Sequence, residues 1–214
     1  MAGTARFGGQ RGGIQAEVLT ESDIAEAAAA VTRRTGLARL TVKAVADELG
    51  ITSPALYYHV AGRPALLDLV ASHVVDTEFA DQLDDRVEES WVDTLNRVLG
   101  MVTVLESTYP GVIPYLLGDA TAAPASLRVS AFVVRQLRRG GFTGEQSACA
   151  YAAICALVSG WSLVDPGLNP PEGDGYDDLH EVFAAMSRID AEKRLKVALN
   201  ALLTGLEAHP PALD

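Results

Sequence analysis

Apolar residues recur at three- and four-residue spacing along most of this chain, which predicts an all-α fold. Ile24, Ala27, Ala28 and Val31 form the first stripe. Thr20 and Asp23 approximate a capping box ahead of it, Leu19 and Ile24 a hydrophobic staple, and Gly36 ends the helix. The second stripe is Val42, Val45, Ala46 and Leu49, opened by Thr41 and stopped by Gly50, where a positive φ costs a glycine little. Ile51 plugs the angle that follows. Thr52 caps a third, short helix with Pro54 in its first turn, and Leu56 faces Val45 and Leu49. A fourth helix runs from Arg63 to about Phe79 on Leu66, Leu67, Val70, Val74 and Val75.

Beyond an acidic connection at Asp81–Glu89, one helix is expected from Trp91 to about Ser107, in phase on Leu95, Val98, Leu99, Val102 and Leu105. Pro110, Gly111 and Pro114 break the next stretch. Ala125 to Arg139 is helical and stops at Gly140-Gly141. Thr143 and Gln146 form a capping box for a helix reaching about Val164, apolar all round and rich in small residues. A Pro/Gly/Asp loop spans Pro166–Gly175. A short helix at Asp177–Met186 and a last one from Ala191 to about Glu207 complete the chain. The expected organisation is an arm over 1–18, a three-helix unit over 19–70 and a larger helical unit over 71–214.

The second and third helices are short and tightly joined, the layout of a helix-turn-helix. Its tip carries Tyr57, Tyr58 and His59, three rings that solvate poorly but suit a sugar-phosphate wall and base edges. A helix-turn-helix pattern also occurs in cores that never meet DNA, Tyr57 can serve partly as core, and His59 can act as a favourable charge at a helix C-terminus.

The run Leu40-Thr41, Val45-Ala46, Leu49-Gly50-Ile51 and Pro54-Ala55-Leu56-Tyr57-Tyr58-His59-Val60, with Arg63 and Leu66-Leu67-Asp68, resembles the DNA-binding domain of the TetR family over roughly Ile24 to Val70. Within the family it looks nearest the tetracycline-repressor branch. The resemblance implies that Thr41 and Lys43 open the helix beside the DNA backbone, and that Thr52, Ser53, Pro54 and Ala55 begin the base-reading helix. It implies phosphate contacts for Tyr57, Tyr58, His59 and Arg63. Ser53 and Ala55 stand where the tetracycline repressors carry a larger amide and a threonine, so a different operator is expected.

Charge becomes consistent with that reading once it is divided. The net charge is −11, yet residues 1–70 carry seven Lys+Arg against seven Asp+Glu, so all the acidity lies in 71–214. Arg6, Arg11, Arg33, Arg34, Arg39, Lys43 and Arg63 are available to cluster, few enough that specific binding calls for a dimer. Arg6 and Arg11 suit a minor-groove arm or a mere untied tail.

In the larger unit, helices 143–164 and 191–207 carry more apolar surface than one core uses. They resemble the pair that forms the family's homodimer interface, the alternative being intramolecular burial alone. The broken stretch is expected to leave a cavity lined by Phe79, Trp91, Val98, Met101, Val102, Leu105, Tyr109, Ile113, Leu116, Ser130, Val133, Val134, Tyr151 and Cys155. Phe79, Val98, Leu116 and Asp119 fall where the tetracycline repressor holds drug and magnesium with polar side chains. A small apolar or aromatic effector and no bound metal or other cofactor are therefore expected.

With 49% hydrophobic residues the chain can build a substantial core. No apolar run reaches ~18 residues, so no membrane span is expected. The Gly- and Arg-rich start lacks a signal-peptide core. Cys149 and Cys155 fall on different faces of one helix, which suits a reducing cytoplasm. Enzyme signatures are missing: His59, His73, His180 and His209 have no metal-ligand spacing, and there is no nucleophile elbow or phosphate-binding glycine loop. The acidic group Glu172, Asp174, Asp177, Asp178 and Glu181 lacks calcium-loop spacing. The functional expectation is a DNA-binding transcription regulator, released from a near-palindromic operator by its effector. An activator, a ligand-independent regulator, or a helical interaction module with a structural helix-turn-helix remain alternatives.

Overall fold

The computed structural model describes residues 19–84, 88–118, 123–163 and 176–211. The 1–18 arm with Arg6 and Arg11, the site of Asp119, and the Pro166–Gly175 loop with Glu172 and Asp174 lie outside them. Every regular element among the described residues is helical.

Helix α1 (Glu21–Thr35) opens on a complete capping box. The Asp23 carboxylate accepts from the Thr20 amide at 2.8 Å, and the Thr20 hydroxyl accepts from the Asp23 amide at 3.2 Å. Two orphan donors of the first turn are thereby satisfied. A 3₁₀ turn at Leu37–Arg39, which the periodicity did not reveal, leads into α2 (Val42–Leu49). Thr41 caps α2 and Thr52 caps α3 (Ser53–Tyr57). Between them Gly50 adopts φ +68°, the left-handed value that turns the chain sharply. Leu56 is fully buried, in one core with Val45, Leu40 and Ile24. Helix α4 (Arg63–Val74) packs along α1. It continues through a widened turn at Val75–Phe79 and a tight one at Ala80–Gln82, so the expected helix end at Phe79 corresponds to a change of helical pitch.

The remainder comprises α5 (Trp91–Leu99), α6 (Val102–Thr108), α7 (Val112–Leu117), α8 (Pro124–Arg139), α9 (Gly144–Leu163), α10 (Asp177–Arg188) and α11 (Ala191–Ala208). Helix α5 packs on α8 and α11, while α9 packs on α7, α8 and α11. The expected single helix from Trp91 to Ser107 is two. At Gly100 the turn tightens, and the Met101 amide donates to Val98 three residues back. Absence of a side chain permits this: a Cβ on Gly100 would lie 2.7 Å from the Asn96 carbonyl oxygen.

Trp91 was expected at the cavity. It is buried elsewhere, edge-on to Phe142 with ring centroids 5.3 Å apart. Its indole covers Gly140, whose missing Cβ would lie 2.8 Å from the ring. The glycine that ends α8 therefore also makes room for the tryptophan that starts α5. Gly140→Ala is expected to lower unfolding stability by about 1–3 kcal/mol through overpacking, measured by urea denaturation. Gly144→Ala, with open space around it, serves as the tolerant control.

Candidate DNA-reading face and internal cavity

The tip of α3 presents its rings outward. Tyr58 is 90% exposed and Tyr57 58%, with His59 also exposed. Nothing in the fold requires two tyrosines in water, and both stand on a capped, rigid turn. Ser53 and Ala55 are half-buried, and Pro54 is exposed. Thr41 and Thr52 have a structural duty, since their hydroxyls accept from the Ala44 and Ala55 amides at 3.1 and 3.4 Å.

The basic residues are more committed than the sequence implied. Arg34 pairs with Glu48, and each shifts the other's pKa toward the charged form through their hydrogen bond. Lys43 pairs with Asp47 one helical turn away. Arg33 donates to the Tyr109 hydroxyl at 2.8 Å. Arg63 spends its guanidinium on backbone: Nε on the Leu40 carbonyl at 2.9 Å, and Nη2 on those of Ala38 and Leu37 at 3.1 and 3.4 Å. The expectation that these groups stand ready to cluster is thus corrected. Spacing places a basic residue in the sequence, but only the folded chain shows which carbonyls it reaches. Arg39, on the turn before α2, is exposed and has no ion-pair partner among the described residues. Of the basic residues expected to be available, it is the one in the head that keeps that freedom among the described residues.

The larger unit encloses a cavity of about 40 Å³ between α5, α6, α7, α8 and α9. Nine of the expected side chains line it: Phe79, Val98, Val102, Ile113, Leu116, Ser130, Val133, Tyr151 and Cys155. Leu99, Leu117, Val129, Ile154 and Val158 also line it and were not anticipated. They occupy the same helix faces one turn away, so finer phase information would have found them. Five expected residues lie elsewhere. Besides Trp91, Val134 is exposed on the outer face of α8. Met101 borders an outer groove between α5 and the start of α11. Leu105 is buried in the core without reaching the cavity. Tyr109 is turned toward α1.

Tyr109 is the centre of a polar link between the two units. Its ring is buried, Arg33 lies over it at 5.3 Å, and its hydroxyl donates to Glu78 Oε1 at 3.0 Å. Desolvation, then the Glu78 bond, raises its pKa. Next to it the Leu37 amide donates to the Pro110 carbonyl at 2.7 Å. Glu106 accepts from the Gly111 and Ile113 amides at 2.7 and 3.3 Å, closing the start of α7. Tyr115 on α7 donates to Asp68 on α4 at 2.6 Å; desolvation and that carboxylate push its phenol up to about 12. Cavity wall and reading head therefore share one rigid corner, α6–α7.

Among the described residues no group of three His, Cys, Asp or Glu could hold a metal, and no helix is long and apolar enough to cross a membrane. A helix-turn-helix head is joined to a helical body that holds an apolar cavity. Residues 24–70 match the family described as bacterial regulatory proteins, tetR family, so the helix-turn-helix segment is of that kind. An HTH-type transcriptional regulator of Saccharopolyspora erythraea is 27% identical over 144 residues, 67% of this chain and 59% of that protein's length. The class D tetracycline repressor of Escherichia coli is 37% identical over 57 residues, 27% of this chain and 26% of the repressor. The chain thus matches well under two thirds of either curated relative. The structure of BioQ with its double-stranded DNA operator superimposes with a TM-score of 0.62 at 21% identity, covering 89% of this chain and 99% of that one. This last likeness is one of fold.

Arg63→Ala strips three carbonyls of their partner and is expected to cost about 1–3 kcal/mol of stability. Arg63→Lys should rescue little, because a single ammonium cannot span the fork. Tyr58→Ala should change stability by under about 0.5 kcal/mol. Chemical denaturation of the three variants separates the clamp from the exposed ring.

Proposed function

We propose that this chain is a DNA-binding transcription regulator, a repressor released from its operator by a small apolar or aromatic effector. The observation that carries the reading is the pair of exposed tyrosines on a capped recognition helix within residues 24–70, the family-matched segment. In this reading residues 19–70 read DNA and 71–214 bind effector and dimerise, in the cytoplasm. Helix α3 enters the major groove with Ser53, Pro54 and Ala55 at base edges. Tyr57, Tyr58, His59 and Lys43 meet the backbone. The Lys43–Asp47 pair is exposed and costs little to open. Arg63 contributes chiefly by holding the turn at Leu37–Leu40.

A homodimer is supported by α9. Its inner face buries Ala150, Ile154 and Val158, while Ala148, Ala152 and Ala156 on the outer face are exposed and small. An apolar stripe on both sides of one helix calls for a partner on each. Val197 on α11, 64% exposed, extends the same argument. Two-fold symmetry would set two recognition helices about 34–36 Å apart on a near-palindromic site.

Release follows from the size of the cavity. At about 40 Å³ it has room for a few water molecules, so an effector must push its walls apart. Ile113 and Leu116 on α7 are among those walls, and α7 begins at the corner bound to Leu37 and Arg33. Displacing α7 strains that corner, so effector and operator weaken each other reciprocally.

The deciding experiment is retention of genomic fragments by the purified protein at low and moderate salt, with sequencing of what is held. A near-palindromic motif is expected, absent for Tyr57→Ala. Retention no different from that variant would sink the reading. On the recovered operator, Lys43→Ala should weaken binding and reduce the slope of log K against log salt by about 1 per protomer.

A further inference from the structure

The cavity is apolar except on one side. Ser130 of α8 and Tyr151 of α9 face each other there, oxygen to oxygen at 2.7 Å, and Cys155 lines the same wall one turn along α9. No Lys, Arg, His, Asp or Glu lines the space. Burial raises the pKa of both Tyr151 and Cys155, so the wall stays uncharged at neutral pH. The Ser130–Tyr151 bond is reversible in direction, since either hydroxyl can be the donor. If the phenol donates to Ser130, the serine proton is left over. If the bond runs the other way, serine lone pairs are left over. Either a carbonyl or a hydroxyl oxygen can therefore be received at this place without stranding a buried donor.

We infer that the effector is an uncharged, mainly apolar molecule bearing one hydroxyl or carbonyl oxygen, and that the Ser130–Tyr151 pair receives that oxygen. This rests on the reading of the cavity as an effector site. A carboxylate or ammonium is disfavoured because no countercharge lines the wall and burial strips the ion of water. A pure hydrocarbon is accepted but gains nothing from the pair, since the two hydroxyls simply stay bonded to each other. Cys155 is a neighbour on that wall; with its pKa raised, it is not poised as a nucleophile.

Three probes of one shape test this: naphthalene, 2-naphthol and 2-naphthoate, titrated into the full chain by their own fluorescence. 2-Naphthol should bind roughly tenfold more tightly than naphthalene. 2-Naphthoate should bind weaker than 2-naphthol by on the order of a hundredfold. Ser130→Ala and Tyr151→Phe, checked for intact fold by thermal melting, should each erase most of the 2-naphthol advantage and leave naphthalene unchanged. Equal binding of naphthalene and 2-naphthol, preference for 2-naphthoate, or an advantage that survives both substitutions overturns the assignment while keeping the cavity as a ligand site. Failure of all three probes to bind overturns the cavity reading itself, leaving operator retention as an independent result.

Discussion

The Leu37 amide lies just beyond α1 and donates to the carbonyl of Pro110, in the corner between α6 and α7. That backbone bond joins the head to the body at one corner. Its surroundings enforce it: Gly36 and Gly111 adopt φ +78° and +90°, and a Cβ on Gly111 would come within 3.3 Å of Leu37 Cβ. Arg33, Tyr109 and Glu78 close the same junction with side chains. A buried amide left unpaired here would cost stability, so the corner cannot drift without finding new partners. Helix α4 provides the second attachment through Tyr115 and Asp68, and the turn that follows it a third through Asp76 and Arg128. No flexible hinge is needed to carry a change in the body to the head.

The head is a near-neutral unit. Its positive groups are held in a folded network of short-range bonds, Arg63 on carbonyls, Arg34 on Glu48 and Arg33 on Tyr109. These order the turn that presents α2 and α3. What is left for solvent is the aromatic tip, the exposed Arg39 and the Lys43–Asp47 pair, which opens cheaply. Shape and rigid presentation then matter more for this head than bulk charge, and the acidity of the larger unit is kept on separate elements.

Much of this was legible from residues. The capping boxes at Thr20 and Thr143, the caps at Thr41 and Thr52 and the stop at Gly50 follow from local chemistry, and each is found where that chemistry puts it. Nine cavity residues were legible for the same reason, because a helical stripe names one face. The failures share a cause. Trp91, Met101, Leu105, Tyr109 and Val134 sit on helices with more than one covered side, and periodicity alone does not say which neighbour covers which side. The bonds that Arg63 and Arg33 make within the fold were not legible, because a long basic side chain can reach many acceptors and only packing selects among them.

The sequence by itself determined most of the helices, their caps and the helix-turn-helix layout, because those depend on contacts between residues a few positions apart. Only the tertiary structure decided that Tyr109 ties the body to Arg33, and that Trp91 fills the space left by Gly140. It likewise brought Ser130 of α8 and Tyr151 of α9 to 2.7 Å on one wall. Those facts depend on the angle and depth at which whole helices pack, and many sequences with the same local pattern would pack them differently.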